Sequence, residues 1–263
     1  MSQNASLSFA PSTPLQNRRK VILVGASSGI GAAMARQLAG EGCNLALLAR
    51  RADLLTALCD DINTQAGEVR ARAYVHDVNQ VQAVPALLQT LLADLGGLDV
   101  FIYCAGISRM AGLKKYDFNK DLLTLQVNTL GALAWLNPVA ELFQSLQCGQ
   151  IVAISSVAGD RGRVGNPSYN ASKAALTSYM ESLRNRLTRY GVNVLTAKPG
   201  FVETAMLEGA KRTFWAIPAE QAARDICRAM CKRRQDVYTP GRWRWVMLVI
   251  RNIPSRLFRR MIF

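Results

Sequence analysis

The stretch Val21-Ile-Leu-Val24-Gly25-Ala-Ser-Ser-Gly29-Ile-Gly31 decides the fold, because an apolar run passes directly into a glycine-rich turn. Three of the four residues 21–24 are β-branched, which predicts a buried strand, and a helical pattern follows the turn. A glycine turn at such a junction lets backbone amides approach a pyrophosphate, and the helix N-terminus adds partial positive charge. The same composition also occurs in turns that only join a strand to a helix. The candidate cofactor-binding residues of this turn are Gly25, Ser27, Ser28, Gly29, Ile30 and Gly31.

From this stretch onward, strand-like and helix-like segments alternate along the chain, with no internal repeat and no interdomain linker. This alternation predicts a single α/β domain over residues 19–241, with a doubly wound parallel sheet of the Rossmann type. Between residues 202 and 218 the periodicity is lost, and a mobile loop is predicted there. The predicted strands are 21–24, 44–48, 72–75, 100–103, 151–154, 192–197 and 237–239, and the predicted helices are 30–39, 52–66, 81–95, 119–146, 170–190 and 219–232.

The charge of the chain is strongly and unevenly positive. The formal net charge is +14, and from Lys211 onward thirteen basic residues face three acidic ones. Positive potential of this size favours an anionic partner, such as nucleic acid, membrane lipid or a phosphorylated substrate, whereas the plainer reading is a solvated surface. Of these partners we expect a phosphorylated substrate or an anionic membrane surface, and no nucleic acid.

The two ends of the chain and its cysteines bear on location. Residues 1–18 are polar and contain two prolines, so they predict a disordered tail and not a signal peptide. No run approaches the ~20 apolar residues that a membrane-spanning helix needs. The six cysteines form no CxxC pair. A reducing, cytoplasmic setting is therefore expected.

The residues that follow the second and third strands predict which cofactor binds. An acid at the end of the second strand would bind ribose hydroxyls, but this chain has Arg50 and Arg51 there. Guanidinium groups suit a 2′-phosphate, so NADP is expected over NAD, the alternative being two solvated arginines that open a helix. Asp77, after the third strand, is a candidate partner of the adenine amino group or a helix cap. His76 is the only histidine and is interpreted as structural, which leaves no Ser-His-Asp triad and no multi-histidine metal site.

Four residues form a candidate catalytic constellation. Tyr169 and Lys173 are four residues apart at the start of a predicted helix, so both side chains lie on one face. A lysine ammonium near a phenol stabilises the phenolate and lowers a pKa that is otherwise about 10. Ser156, at the end of a predicted strand, can hold a substrate oxygen while Tyr169 delivers a proton. Asn128, in the middle of a predicted helix, can anchor a water that passes protons to Lys173, or only satisfy backbone groups at a bend.

Taken together, these residues resemble the short-chain dehydrogenase/reductase family over residues 20–240. The segment 25–31 resembles its cofactor turn, and thirteen positions separate Ser156 from Tyr169 as in its catalytic tetrad. One departure is clear, since Tyr103-Cys104 replaces the two asparagines that usually precede Ala-Gly, which puts the local hydrogen bonds in doubt. The resemblance implies an NAD(P)-dependent oxidoreductase with the catalytic residues Asn128, Ser156, Tyr169 and Lys173. It implies that Tyr169 and Lys173 also contact the cofactor, together with Asp77, Val78, Ala105, Gly106, Pro199, Gly200, Val202 and Thr204.

Two basic segments indicate the substrate. Arg161 and Arg163 lie between Ser156 and Tyr169 and are candidate ligands of a substrate phosphate, or part of a polar surface loop. The segment 242–263 carries tryptophans, aliphatic residues and six arginines without an acid, which predicts a basic amphipathic segment at a membrane interface or a buried dimer contact.

Residues 149–163 and 246–261 resemble one branch of the family, the reductases of decaprenylphosphoryl-2-keto-ribose. This resemblance implies a ketone on a polyprenyl-phosphate-linked sugar as substrate, and a place at the inner face of the membrane. The alternatives are a generic carbonyl or 3-oxoacyl reductase, or a catalytically weak cofactor-sensing protein of the same fold. A homo-oligomer is expected.

Overall fold

The computed structural model describes residues 18–109, 112, 115–207 and 213–261. Its main sheet has seven parallel strands in the order β3-β2-β1-β4-β5-β6-β9, and the direction of winding reverses between β1 and β4. This sheet confirms the predicted doubly wound α/β domain. The strands of the chain are β1 Lys20–Val24, β2 Asn44–Ala49, β3 Ala71–Val75, β4 Val100–Tyr103, β5 Gln150–Ile154, β6 Asn193–Pro199, β7 Val202–Glu203, β8 Ile217–Pro218 and β9 Asp236–Thr239.

Helices cover both faces of the sheet, and each face has its own apolar core. Side chains of β1 alternate between the two cores, with Val21 and Leu23 in one and Ile22 and Val24 in the other. All four are at most 1% exposed, as expected for a central parallel strand that is covered on both sides. The helices are α1 Gly29–Gly40, α2 Ala52–Ala66, α3 Val84–Leu95, α4 Phe118–Leu125, α5 Gly131–Leu146, α6 Pro167–Leu187, α7 Ala219–Cys231, α8 Trp243–Asn252 and α9 Ser255–Phe258.

Two predicted elements differ in detail from those observed. The single helix predicted over 119–146 is divided in the structure into α4 and α5, and a π-helical turn, Gln126–Leu130, joins the two. This widened turn carries Asn128 toward the loop after β4. The loop predicted over 202–218 is ordered at both ends, where β7 and β8 pair in parallel. Residues 208–212 of that loop, like residues 1–17 of the predicted disordered tail, lie outside the described residues.

The C-terminal segment is packed onto the domain through one face of α8. Trp243 and Met247 are buried and form a small cluster with Val157, against which Phe201 packs. A Cβ added to Gly200 would collide with the Trp243 indole, so this glycine makes room for the ring. Trp243, one of the tryptophans of the predicted amphipathic segment, is therefore packed into the domain and is not available to a membrane interface. Within the part of the chain that the structure describes, no helix is long and apolar enough to cross a bilayer.

We expect Trp243→Ala to lower the free energy of unfolding by about 3–5 kcal/mol, the usual cost of removing a buried aromatic side chain. Trp243 is 5% exposed, whereas Trp245, two residues further along the same helix, is 67% exposed. Trp245→Ala is the matched control and should change stability by no more than about 0.5 kcal/mol. Urea unfolding of both variants measures this, and equal effects would contradict the docked position of α8.

Candidate active site

The glycine-rich turn is held tightly against two other predicted cofactor residues. Gly25 has a φ of +93°, and a Cβ there would collide with the backbone nitrogen of Ala105, just after β4. A Cβ on Gly31 would collide with the Gly25 carbonyl, and one on Gly29, at φ +55°, would lie 2.8 Å from the Thr204 side chain. The turn therefore needs glycine at these positions, and it closes the crevice at the reversal point of the sheet. These three residues form a backbone cradle that fits a dinucleotide pyrophosphate.

Arg51 reaches back to the glycine-rich turn. Its guanidinium Nη2 donates to the hydroxyl of Ser28 at 2.6 Å and to that of Ser27 at 3.0 Å. Both Arg51 and Arg50 are exposed at the end of β2. A cation and two hydroxyls thus converge at one end of the crevice, an arrangement that can bind a phosphate.

Asp77 and His76 follow β3 at the same edge of the sheet. One Asp77 carboxylate oxygen accepts from the Asn79 amide at 3.0 Å, and the other lies 3.8 Å from Arg50 Nη1. Asp77 thus closes a local turn instead of capping the next helix. The buried His76 ring accepts from the Trp135 indole at 3.3 Å, and burial lowers its pKa. These contacts fit the structural role expected of His76.

Tyr169 and Lys173 lie in the first two turns of α6. The Asn166 side chain caps this helix by accepting from the Tyr169 amide at 3.3 Å. Lys173 is buried, its Nζ donates to the Ile154 carbonyl at the end of β5 at 2.8 Å, and it lies 5.8 Å from the centre of the Tyr169 ring. Burial lowers the pKa of Lys173 to about 8. Its side-chain amino group can therefore gain or lose a proton near neutral pH.

The Tyr169 hydroxyl stays protonated in this environment. Burial raises the pKa of Tyr169, while a hydrogen bond with Ser156 and the nearby Arg163 cation act in the opposite direction. The pKa of Tyr169 is thus raised, so the expectation that Lys173 lowers it is wrong. The cation that opposes the effect of burial is Arg163, and the Lys173 ammonium is held by the Ile154 carbonyl. Ser156 also accepts from the Ala158 amide at 3.1 Å, which fixes its hydroxyl at the end of β5.

Asn128 is fully buried on the π-helical turn and uses its amide in three hydrogen bonds. Its Oδ1 accepts from the Ile107 amide at 2.8 Å, while its Nδ2 donates to the Ile107 carbonyl at 2.9 Å and to the Ser172 hydroxyl at 3.0 Å. A Cβ added to Gly106 would lie 3.4 Å from both Asn128 Oδ1 and Lys173 Nζ. Asn128 and Lys173 therefore flank the same glycine, and all four predicted catalytic residues lie at the carboxyl edge of the sheet.

Arg161 does not face the reacting groups. Its Nη1 donates to three carbonyls at the end of α8, those of Ile250 and Ile253 at 2.6 Å and that of Arg251 at 3.2 Å. Its guanidinium also lies 3.9 Å from the centre of the Phe258 ring. The predicted binding of a substrate phosphate by Arg161 does not fit these contacts, because the guanidinium is used to hold the C-terminal segment. Of the two arginines, Arg163 is the one that lies near Tyr169, and its binding of a substrate phosphate stays a prediction.

Sequence reasoning missed a buried ion pair behind Ser156. Lys198 on β6 bonds to Asp160 at 2.8 Å, and Tyr238 on β9 donates to the other Asp160 oxygen at 2.7 Å. Both charged side chains are less than a tenth exposed. The pair fixes the segment between Ser156 and Arg161 to the sheet. No sequence signal indicated it, since the three residues lie 38 and 40 positions apart.

Comparisons with known proteins agree with this geometry. The profile of the family described as short chain dehydrogenase matches residues 19–214. An uncharacterized oxidoreductase of Mycobacterium tuberculosis is 32% identical over 246 residues, which cover 92% of this chain and 97% of that protein. The chain belongs to the short-chain dehydrogenase family and is an oxidoreductase of that family.

Solved structures show the same fold. A short-chain dehydrogenase from Sphingobium yanoikuyae aligns with a TM-score of 0.78 and 23% identity, covering 90% of this chain and 97% of that one. An actinorhodin polyketide ketoreductase variant aligns with a TM-score of 0.76 and 23% identity, covering 86% and 97%. The narrower resemblance to reductases of decaprenylphosphoryl-2-keto-ribose stays a prediction.

Proposed function

We propose that the protein reduces a ketone with NADP(H). The observation that carries this proposal is the placement of Ser156, Tyr169, Lys173 and Asn128 at one edge of the sheet, beside the glycine cradle. A protonated phenol, a hydroxyl bonded to it and a buried lysine with a pKa of about 8 are the groups that proton transfer to a carbonyl oxygen requires.

The mechanism assigns one task to each residue. A nicotinamide cofactor held by the cradle of Gly25, Gly29 and Gly31 would supply the hydride for the carbonyl carbon. The Ser156 hydroxyl holds the carbonyl oxygen, and Tyr169 transfers its hydroxyl proton to that oxygen. Lys173 returns a proton to Tyr169, and Asn128 orders the loop after β4 beside Lys173, where water would replace the proton that Lys173 gives up.

Arg51 and its two serine partners support NADP over NAD. A 2′-phosphate at the end of β2 would meet the guanidinium that now bonds to Ser27 and Ser28, with Arg50 beside it. The structures from Sphingobium yanoikuyae and of the actinorhodin ketoreductase variant were both solved with NADPH. Charge-assisted contacts to a phosphate contribute roughly 1.5–3 kcal/mol each.

The rim of the site supports an anionic substrate that carries an apolar chain. Exposed apolar side chains of Val164, Met206 and Phe214 follow β5 and β6 at the carboxyl edge, and Arg163 lies close enough to Tyr169 to lower its pKa. A ketone on a polyprenyl-phosphate-linked sugar has both properties. A reductase of small carbonyl compounds needs neither the apolar rim nor Arg163, and a cofactor sensor needs no working Tyr169. A 3-oxoacyl reductase would use the apolar rim for its acyl chain.

The outer face of α8 supports attachment to an anionic membrane surface. Trp245, Leu248 and Val249 are more than half exposed, and the segment 242–261 carries six arginines and no acid. Such a helix lies in a membrane interface with its apolar residues inserted and its arginines near lipid phosphates. Because Arg161 anchors the same helix, binding to the membrane would place the active-site mouth at the surface where a lipid-linked substrate resides.

Tyr169→Phe should lower ketone reduction by about 10²–10⁴-fold and leave the NADPH Kd within a few-fold, because only the proton donor is removed. The matched control is Tyr179→Phe on the same helix, whose hydroxyl bonds to Asn137 at the surface at 2.6 Å and should be neutral for turnover. Steady-state kinetics with simple ketones and a lipid-phosphate-linked 2-keto-pentose, beside fluorescence titration of NADPH, measure both quantities. Normal turnover by Tyr169→Phe would contradict the mechanism, and tight NADPH binding by a wild type that turns over no carbonyl would favour the sensor.

Replacing Arg50 and Arg51 together by alanine should raise the KM for NADPH tenfold or more and leave that for NADH nearly unchanged, because only NADPH has a 2′-phosphate. Arg36→Ala is the control, since Arg36 is an exposed arginine that pairs with Asp61 at 3.0 Å away from the crevice. Parallel kinetics with the two cofactors give the ratio. Equal weakening of both cofactors would assign the arginines a structural role.

Replacing Trp245, Leu248 and Val249 together by serine should reduce binding to anionic vesicles at least tenfold, because each inserted side chain contributes about 1.5–3 kcal/mol. The variant keeps Trp243 and Met247, so the packing of α8 and the reduction of a small ketone should be unaffected. The control replaces three exposed apolar residues elsewhere, Leu54, Val69 and Leu146, by serine. Vesicle co-sedimentation at two salt concentrations and analytical ultracentrifugation distinguish the alternatives, since a changed oligomeric state with unchanged vesicle binding would instead indicate a dimer contact.

A further inference from the structure

Tyr103 occupies a position at which this chain departs from the pattern it otherwise resembles. It is the last residue of β4, in the middle of the sheet, and its side chain is fully buried. Its hydroxyl donates to the Val127 carbonyl at 2.7 Å. At the position where the sequence departs from that pattern, the structure thus has a bond from β4 to the π-helical turn.

The Val127 carbonyl needs a partner because of the geometry of that turn. The Gly131 amide bonds to the Gln126 carbonyl, five residues back instead of four. Where a helix returns from hydrogen bonds between residues five apart to bonds between residues four apart, one carbonyl receives no bond from the helix. If that carbonyl is buried, it needs another donor. Val127 directly follows Gln126, whose carbonyl accepts the last bond between residues five apart. The Tyr103 hydroxyl donates to the Val127 carbonyl instead.

The tyrosine is held firmly in this role. A Cβ added to Gly131 would lie 3.1 Å from the Tyr103 hydroxyl oxygen and 3.0 Å from Val78, so there is little room for the ring to move. Burial raises the pKa of Tyr103, which keeps its hydroxyl protonated and able to donate. At neutral pH the hydroxyl therefore remains a donor to the Val127 carbonyl.

The residue that this bond places is Asn128, directly after Val127. The Asn128 side-chain amide forms hydrogen bonds with the Ile107 backbone and the Ser172 hydroxyl. Asn128 and Lys173 both lie next to Gly106. A shift of the turn by a fraction of an ångström would misalign all three hydrogen bonds of Asn128. We infer that Tyr103 is a positioning residue for proton delivery, which acts by fixing the turn that holds Asn128 beside Lys173. The inference rests on the proposed function of Asn128 and Lys173.

Tyr103→Phe removes only the hydroxyl and should lower kcat about tenfold, with the KM for NADPH within twofold of wild type. The solvent deuterium isotope effect on kcat should increase, because proton delivery becomes slower relative to hydride transfer. In wild type, the kcat for reduction should fall as pH rises through about 8, where Lys173 loses its proton, and in Tyr103→Phe this decline should shift. Tyr74→Phe is the matched control, since Tyr74 is also a strand tyrosine and its hydroxyl bonds to Asp94 at 2.7 Å away from the site.

Two further variants separate the possible failures. If Asn128→Ala has normal kcat, the proposed role of Asn128 is wrong and the inference is overturned with it. If Asn128→Ala is slow but Tyr103→Phe keeps a normal kcat and isotope effect, only the inference is overturned, even where the Tm falls. Should Tyr103→Phe fail to fold, Gly131→Ala is the second test, because it keeps the Tyr103 hydroxyl but crowds it. A lowered kcat with a raised solvent isotope effect in this variant supports the inference. Wild-type values of both overturn it.

Discussion

The close contact between the glycine-rich turn and the end of β4 is the constraint on which the active site depends. Gly25 lies against the Ala105 backbone, and Gly31 lies against the Gly25 carbonyl, so neither position has room for a side chain. Because β1 and β4 are neighbours at the reversal point of the sheet, this contact leaves a crevice between the loops that follow them. The loop after β4 then runs directly to Ile107, whose backbone binds Asn128. The cofactor end and the proton-transfer end of the site are thus parts of one backbone arrangement.

The sheet and the central site residues could be predicted because their causes are local. A strand buried on both faces is an unbroken apolar run, a tight turn needs glycine, and residues four apart on a helix share a face. All seven predicted strands of the main sheet are present within a residue or two, and Tyr169 and Lys173 lie where their spacing put them. These inferences needed only neighbours in the chain.

The features that sequence reasoning missed depend on partners far along the chain. Arg161 had the composition of a phosphate ligand, but its guanidinium is held by carbonyls about 90 residues later. Trp243 looked like a residue for membrane insertion, yet it fills a space left by Gly200, 43 positions earlier. The π-helical turn has no distinctive composition, and the donor to its Val127 carbonyl is the Tyr103 hydroxyl on a different element. In each case the deciding contact is tertiary, and no periodicity in the sequence reports it.

The C-terminal helix illustrates how one short element can serve the site and the surface together. Its inner residues, Trp243 and Met247, pack against Val157, which directly follows Ser156, while Arg161 binds its last carbonyls. Four residues separate Ser156 from Arg161, and the buried pair of Asp160 with Lys198 stiffens that short connection. A displacement of the helix would therefore be transmitted to Ser156, which we propose contacts the substrate oxygen, since protein interiors are close-packed and resist compression. The outer face of the same helix remains apolar and basic, so any surface that binds there lies one helix diameter, about 10 Å, from the wall of the active site.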